Sequence, residues 1–433
     1  MFTQHSGLAL CVFLLVATSC SALAAPARAA KKPARPAPKK TAKPAPKRPA
    51  AHPLSLDERL LEAIQDDDPA KVAQLLKAGA KATAVEPVFD APALHVAALG
   101  GNVRIMKALL DAGAPVDGKD GEGKTALMIA AMRPTTDALK LLLDRGADAR
   151  IQDTSGANAL FSAAIGGVEN VRLLVDRGAD IHARDASGAT PLFIAGIGGV
   201  EIARLLIERG AEVDAVNSAG LTPLIQLLLF ADEMKSHLDV VKLLVDKGAN
   251  VNGKAGSMEA LTPLMAAAHQ GNVEVIPFLI QKGAEVDRRG PGGATALMTA
   301  SYLGQLGAVK LLLDAGADPK VKGVDGATAP FMVLAGPPEE EDEADDPAAK
   351  KRRLEIVRRL LDKGADVNAV IGKFRITMLM AAADEGDVAM VRLLLSKGAN
   401  PNLKATDGET ALKLATQGKH TAVIKLLKEN GAR

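Results

Sequence analysis

Apolar residues recur along most of this chain in two alternating short rows, each cut off by glycine. The stretch from Asp185 to Asp214 shows the unit. Asp185-Ala186-Ser187-Gly188 is turn chemistry. Thr190 then suits a helix N-cap, and Pro191 the first helical position, where its missing N–H costs nothing. Leu192 and Ala195 share one face of that helix, and Gly198-Gly199 ends it. A second helix is predicted over Val200 to Glu208, with Ile202, Leu205, Leu206 and Ile207 crowding one side. Gly210 closes it, the residue expected in a left-handed C-terminal cap. Two such helices cannot bury their apolar faces alone, so copies must stack.

The copies are counted by their closing glycines. Gly79, Gly113, Gly146, Gly178, Gly210, Gly248, Gly283, Gly316, Gly364, Gly398 and Gly431 are each followed by Ala. Their spacings are 34, 33, 32, 32, 38, 35, 33, 48, 34 and 33 residues. A period near 33 predicts stacked supersecondary units, not the two or three globular domains that 433 residues would otherwise suggest. Composition agrees: aromatic residues make up 2%, with no Trp and one Tyr. A core of Leu, Val, Ile and Ala between short helices does not need large rings.

Over about residues 55 to 433 these units resemble the ankyrin repeat, whose pattern runs D-x-x-G-x-T-P-L-H-x-A-A-x-x-G and then I-V-x-L-L-L-x-x-G-A. Close copies of the helix start are Thr190-Pro191-Leu192, Thr222-Pro223-Leu224 and Thr262-Pro263-Leu264. Looser ones begin at Thr125, Thr295 and Thr410. The resemblance implies an all-α solenoid of about eleven helix-turn-helix units joined by β-turn or hairpin fingers. It also implies a monomeric, non-catalytic module that binds a protein partner. The family His survives only as His95. Elsewhere its place is taken by Met128, Phe161, Phe193, Ile225, Met265, Met298, Phe331, Met380 and Lys413, mostly apolar packing residues. Ser55 to Ala84 reads as an N-terminal cap and Ala405 to Arg433 as a Lys-rich C-terminal cap. Two units are longer, one around Phe230 to His237 and one over Gly336 to Arg353. Both insertions are expected between the first and second helix. The second, acidic then basic, reads as a solvated loop, with a docking loop for a basic partner as the alternative.

The first 53 residues break the pattern. Leu8 to Ala25 is apolar, and Ala22-Leu23-Ala24 fits a cleavage site, so residues 1–24 read as a secretory signal peptide and the protein as periplasmic or secreted. Met1 to Gly7 carries no Lys or Arg, and the cations follow the apolar run. An uncleaved anchor with cytoplasmic repeats is therefore an alternative. Cys20, after Ala17-Thr18-Ser19, offers a lipoprotein as a third. Residues 25–53 are nearly all Ala, Pro, Lys and Arg, which predicts an extended disordered linker. Nine Lys and Arg and no Asp or Glu lie in residues 1–53, leaving 44 basic against 51 acidic residues beyond. The linker can thus contact an anionic envelope surface. The mildly acidic body, without interleaved aromatics, gives no footprint for specific nucleic-acid binding.

Candidate chemistry in the body is sparse. The cysteines are Cys11 and Cys20 alone, so the repeats have no thiol for catalysis or metal. The seven His are scattered and lack metal-ligand spacing. Periodic acids such as Asp144, Asp176, Asp246 and Asp314 read as a solvated face. Gly118 to Thr125 matches the phosphate-loop string G-x-x-x-x-G-K-T. No apolar strand feeds it, however, and the repeat register explains Asp120, Gly123 and Thr125 as turn and cap residues. No cofactor, metal or catalytic residue is expected.

A binding surface is more legible. The first variable position after the paired alanines reads Leu99, Met132, Ile165, Ile197 and Leu229, then His269, Tyr302, Ala335 and Asp384. By the resemblance these line the concave face. Either they form an apolar row for a partner helix or extended segment, or they pack against the neighbouring helix. Gly100, Gly166 and Gly198 beside them would admit a partner's backbone. The turn tips add Arg150, Arg184, Arg288, Arg289, Lys254, Lys322, Phe374 and Lys404. Of these, Phe374 is either an interface anchor or a ring folded back on its own hairpin.

Overall fold

Each of the eleven periodic Gly-Ala pairs ends a helix by the same device. The eleven glycines have φ between +83° and +100°. The N–H of each following alanine donates to a leucine carbonyl five residues earlier, from Ala80 to Leu75 through Ala432 to Leu427, at 2.9–3.0 Å. This is the long bond of a Schellman cap. A Cβ added at ten of the eleven would meet nothing within 4 Å. Glycine is therefore demanded by backbone conformation, not by space.

The computed structural model describes residues 54–87, 90–230, 237–253, 261–336 and 346–433. The leader, the linker, Lys254 and the acidic run 337–345 lie outside the described residues, as does the side chain of Ile197. The described chain forms two units, the first ending at Ala186 and the second running from Ser187 to Arg433.

In the first unit, inner helices α1 (Leu56–Gln65), α3 (Ala93–Gly100), α5 (Ala126–Ala131) and α7 (Ala159–Gly166) alternate with outer helices α2 (Pro69–Lys77), α4 (Val103–Asp111), α6 (Asp137–Asp144) and α8 (Val168–Asp176). Strands β1 (Val85–Glu86) and β2 (Ala91–Pro92) make one antiparallel finger between α2 and α3. Ser55 and Glu58 close a reciprocal capping box on α1, which suits the terminal repeat. The inner helices bury small residues (Ala97, Ala98, Ala130, Ala131, Ala163, Ala164), so successive backbones pack closely.

The second unit continues with inner helices α9 (Pro191–Gly198), α11 (Pro223–Leu229), α13 (Pro263–His269), α15 (Ala296–Tyr302), α17 (Ala329–Leu334), α19 (Met378–Asp384) and α21 (Ala411–Gln417). Its outer helices are α10 (Val200–Glu208), α12 (His237–Asp246), α14 (Val275–Gln281), α16 (Leu306–Asp314), α18 (Pro347–Asp362), α20 (Val388–Ser396) and α22 (Thr421–Glu429). A second antiparallel finger, β3 (Val370–Ile371) with β4 (Ile376–Thr377), precedes α19. The Thr222, Thr262, Thr295, Thr377 and Thr410 hydroxyls each cap their helix by accepting a backbone N–H three residues on. Thr190 holds the N-cap position without that bond.

Two expectations change. The Gly336–Arg353 insertion is not loop throughout: Asp346 caps α18, so the basic run Lys350 to Arg353 lies in its first turns. Asp346 and Pro347 together are a strong helix start. The periodic acids also do more than face solvent. Arg145 pairs with Asp111 at 3.0 Å and Arg177 with Asp144 at 2.8 Å. In the second unit Lys282 pairs with Asp246 at 2.8 Å, Lys363 with Asp314 at 3.3 Å, and Lys397 with Asp362. Each bond ties a helix end to the next repeat. As exposed pairs, each contributes about 0–1 kcal/mol.

Candidate binding surface

Three residues of the apolar row are exposed in the first unit. Leu99, Met132 and Ile165 are 68%, 52% and 53% exposed. They sit at the C-terminal ends of α3, α5 and α7, each directly after the paired buried alanines of its helix. Their flanks are held by side chains from the next repeat. The Arg133 guanidinium donates to the Leu99 carbonyl. The Asn170 amide donates to the carbonyls of Ala131 at 3.0 Å and Arg133 at 2.5 Å. These bonds satisfy helix-end carbonyls that have no partner inside the helix.

In the second unit the row is not maintained. Leu229 and Tyr302 are only 8% and 7% exposed, so neither offers the surface expected of it. Leu229 ends the buried run Leu227-Leu228-Leu229, and the exposed apolar side chain there is Phe230. Burial of Tyr302 also pushes its phenol pKa up. The carbonyls at this register are again bonded from the following repeat. Gln270 donates to Leu229, Gln305 to His269 at 3.3 Å, and His420 to Asp384 at 2.8 Å. Sequence reasoning missed these donors. Their signal was present, because Arg133 and Gln270 directly follow row residues.

The glycines beside the row differ in purpose. A Cβ on Gly100 would meet nothing within 4 Å, whereas one on Gly166 would lie 2.0 Å from the Ala131 carbonyl oxygen. Gly166 therefore permits packing inside the stack, not the approach of a partner.

The turn tips are joined in ladders. In the first unit Gln152 donates to the Arg184 carbonyl at 3.1 Å, and Thr154 N–H donates to Glu122 at 3.0 Å. Arg150 points outward and forks onto Asp148, whose carboxyl it holds below the usual range. Arg184 is exposed. In the second unit Arg289 reaches the Lys322 carbonyl at 3.0 Å. Phe374 is 40% exposed at its hairpin tip, with Lys373 Nζ 5.0 Å from the ring centroid.

The phosphate-loop string is a closed turn. Asp120 Oδ1 accepts the N–H groups of Glu122 and Lys124, at 3.0 and 2.8 Å. Lys124 Nζ is paired with Glu122, and Thr125 caps α5. Amides committed to Asp120 cannot cradle phosphate. A cleft of about 400 Å³ lies between α10 and α12. Arg204, Lys242, Lys247, Asp239 and Asp246 line it together with Val200 and Leu243, so its walls are mostly charged and not the predominantly apolar ones of a small-molecule site. Among the described residues no three His, Cys, Asp or Glu side chains cluster as metal ligands.

A family model described as ankyrin repeats in three copies matches residues 60–153, 127–217, 160–255, 227–323 and 347–433, well over half of the chain. The chain belongs to the ankyrin-repeat family. Ankyrin repeats are in general protein-interaction modules without catalytic activity. An ankyrin repeat-containing protein of Treponema pallidum (strain Nichols) is 38% identical over 78 residues, covering 18% of this chain and 26% of that protein. Ankyrin repeat and SAM domain-containing protein 6 of Mus musculus is 42% identical over 60 residues, 14% and 7% of the two chains. The Caenorhabditis elegans E3 ubiquitin-protein ligase hecd-1 is 39% identical over 82 residues, 18% of this chain and 3% of the ligase. The chain thus spans 26% or less of the length of each of these relatives.

Proposed function

We propose that this ankyrin-repeat protein is a non-catalytic scaffold that holds a protein partner in its first unit on Leu99, Met132 and Ile165, with the turn tips at Arg150 and Arg184 as further contacts, and that Phe374 is a contact of the second unit by itself. The observation that carries the reading is the exposure of three large apolar side chains at one register in three successive repeats. Soluble surfaces scatter such residues singly; a periodic set on rigid helices is a preformed apolar strip. A photo-crosslinking residue at position 132 would capture the partner in the native cell. Its affinity would then be measured with purified proteins. Met132→Glu with Ile165→Glu should weaken binding at least tenfold while the thermal melt stays unchanged. Equal affinity in the variant sinks the reading.

The reading includes export, supported by the apolar run Leu8 to Ala25 and its small-residue end. Among the described residues no helix is long and apolar enough to cross a membrane. An intact mass beginning near Ala25 in an extracytoplasmic fraction supports export. A full-length mass in the membrane fraction supports the anchor instead. The nine cations of residues 1–53, without one acid, favour a second role for the linker on an anionic envelope surface. Deleting residues 25–53 should then cost envelope retention and leave partner affinity intact.

A further inference from the structure

The second unit carries a distinct edge at its turn tips. The β3–β4 finger ends in Gly372-Lys373-Phe374-Arg375, and Arg375 has φ +57°, a conformation that costs any residue with a side chain free energy. The turn is closed by the Arg375 N–H donating to Gly372 at 3.2 Å. It is tied to the following turn by Thr406 N–H donating to the Phe374 carbonyl at 3.0 Å. On its other side, the turn Val324–Gly326 packs against β3. The exposed ring of Phe374 therefore stands on a fixed backbone, and Val324 in the preceding turn is exposed as well.

Cations surround these two apolar groups. Lys322 lies in the preceding turn, Lys373 and Arg375 flank the ring, and Lys404 lies in the following turn, all exposed. Among the described residues none of the four makes an ion pair, whereas Lys282, Lys363 and Lys397 at the helix ends of the same unit are all paired. Unneutralised charges collected around exposed apolar groups imply a complementary ligand.

We propose that this edge docks an extended acidic segment of a protein partner, with an apolar side chain of that segment against Phe374 and Val324. The inference rests on the protein-binding reading and names the partner's chemistry for the second unit. Spacing selects the ligand form. Neighbouring repeats stand about 10 Å apart, and a chain extended as polyproline II advances about 3.1 Å per residue with three residues per turn, so every third side chain faces the same way. Carboxylates at every third position therefore meet Lys322, the Lys373–Arg375 pair and Lys404 in turn. A lipid surface is less well matched, because the apolar groups are two side chains in one line of turns rather than a continuous apolar face.

The test uses the full-length protein and two labelled 18-residue peptides of identical composition. One has Glu at every third position and a central Leu; the other has its Glu contiguous. The spaced peptide should bind at least fivefold more tightly than the contiguous one, and should weaken steeply with added salt. Phe374→Ser and the Lys322→Glu/Lys404→Glu pair should each lower its affinity tenfold or more. Arg375→Gly relieves the left-handed backbone, so a loss of a few fold without a lower melting temperature excludes unfolding as the cause. Met132→Glu should leave peptide affinity unchanged, which separates this edge from the apolar strip of the first unit. The proposal is overturned if the two peptides bind equally, if Phe374→Ser binds as wild type, or if phosphatidylglycerol vesicles bind and the spaced peptide does not.

Discussion

His95 Nε2 donates to the Lys124 carbonyl at 2.8 Å, so a buried imidazole fastens one repeat to the turn of the next. Its Nδ1 is buried without a partner. Burial pushes the His95 pKa down, opposed by the Lys124 carbonyl and the Asp120 charge. The folded protein therefore holds this ring neutral over a pH range in which the unfolded chain takes up a proton. Stability from His95 is full above the unfolded value of about 6.5 and declines as pH falls below it, by up to about 1.4 kcal/mol per pH unit. Urea midpoints from pH 8 to 5 should fall less in His95→Met than in wild type. Met is the residue used at this register in α5, α13, α15 and α19. Parallel curves would show that His95 titrates normally.

Three glycines make a matched set for stability. Gly146 requires positive φ, so Gly146→Ala should cost about 1–2 kcal/mol. Gly100 has open space and ordinary helical backbone, so Gly100→Ala should be neutral or stabilising by up to about 1 kcal/mol. Gly166→Ala forces a Cβ into the Ala131 carbonyl and should be the most damaging of the three. Chemical denaturation of the variants orders them; any other order refutes the separation of conformational from steric demand.

Asn170 is buried and serves two carbonyls. Asn170→Leu removes both donors and leaves acceptors in an apolar setting, at a cost of about 1–3 kcal/mol. A loss below about 0.5 kcal/mol in urea unfolding would mean that water replaces the amide there.

Lys124 bonds within its own turn, and the turn's amides are committed to Asp120. Magnesium-ATP should therefore not shift the melting temperature of wild type. Lys124→Ala should change stability by no more than about 0.5 kcal/mol. A nucleotide-dependent shift lost in the variant would reopen the phosphate-loop reading.

Much of the architecture is legible residue by residue. Gly210 and its ten counterparts announce helix ends because left-handed backbone is a local requirement that only glycine meets cheaply. Thr222, Thr262 and Thr295 announce starts because a hydroxyl reaches an amide three residues on. Met128, Phe161 and Ile225 in the family's His position are buried, as apolar side chains at that register should be. The helical start of α18 was hidden because its first turns are charged, and hydrophobic periodicity is silent there.

The surface was only half legible, and the reason is range. The sequence by itself determined the period, the caps and the apolar faces, since these depend on neighbours within a turn of helix. It named Leu99, Met132, Ile165, Leu229 and Tyr302 as equivalent positions. Only the tertiary structure decided that the first three face solvent and the last two are covered. That outcome depends on how closely the adjoining repeat approaches, and hence on residues some 30 to 40 positions away, such as Arg133 over Leu99, Gln270 at Leu229 and Gly166 against Ala131. No local pattern encodes that distance.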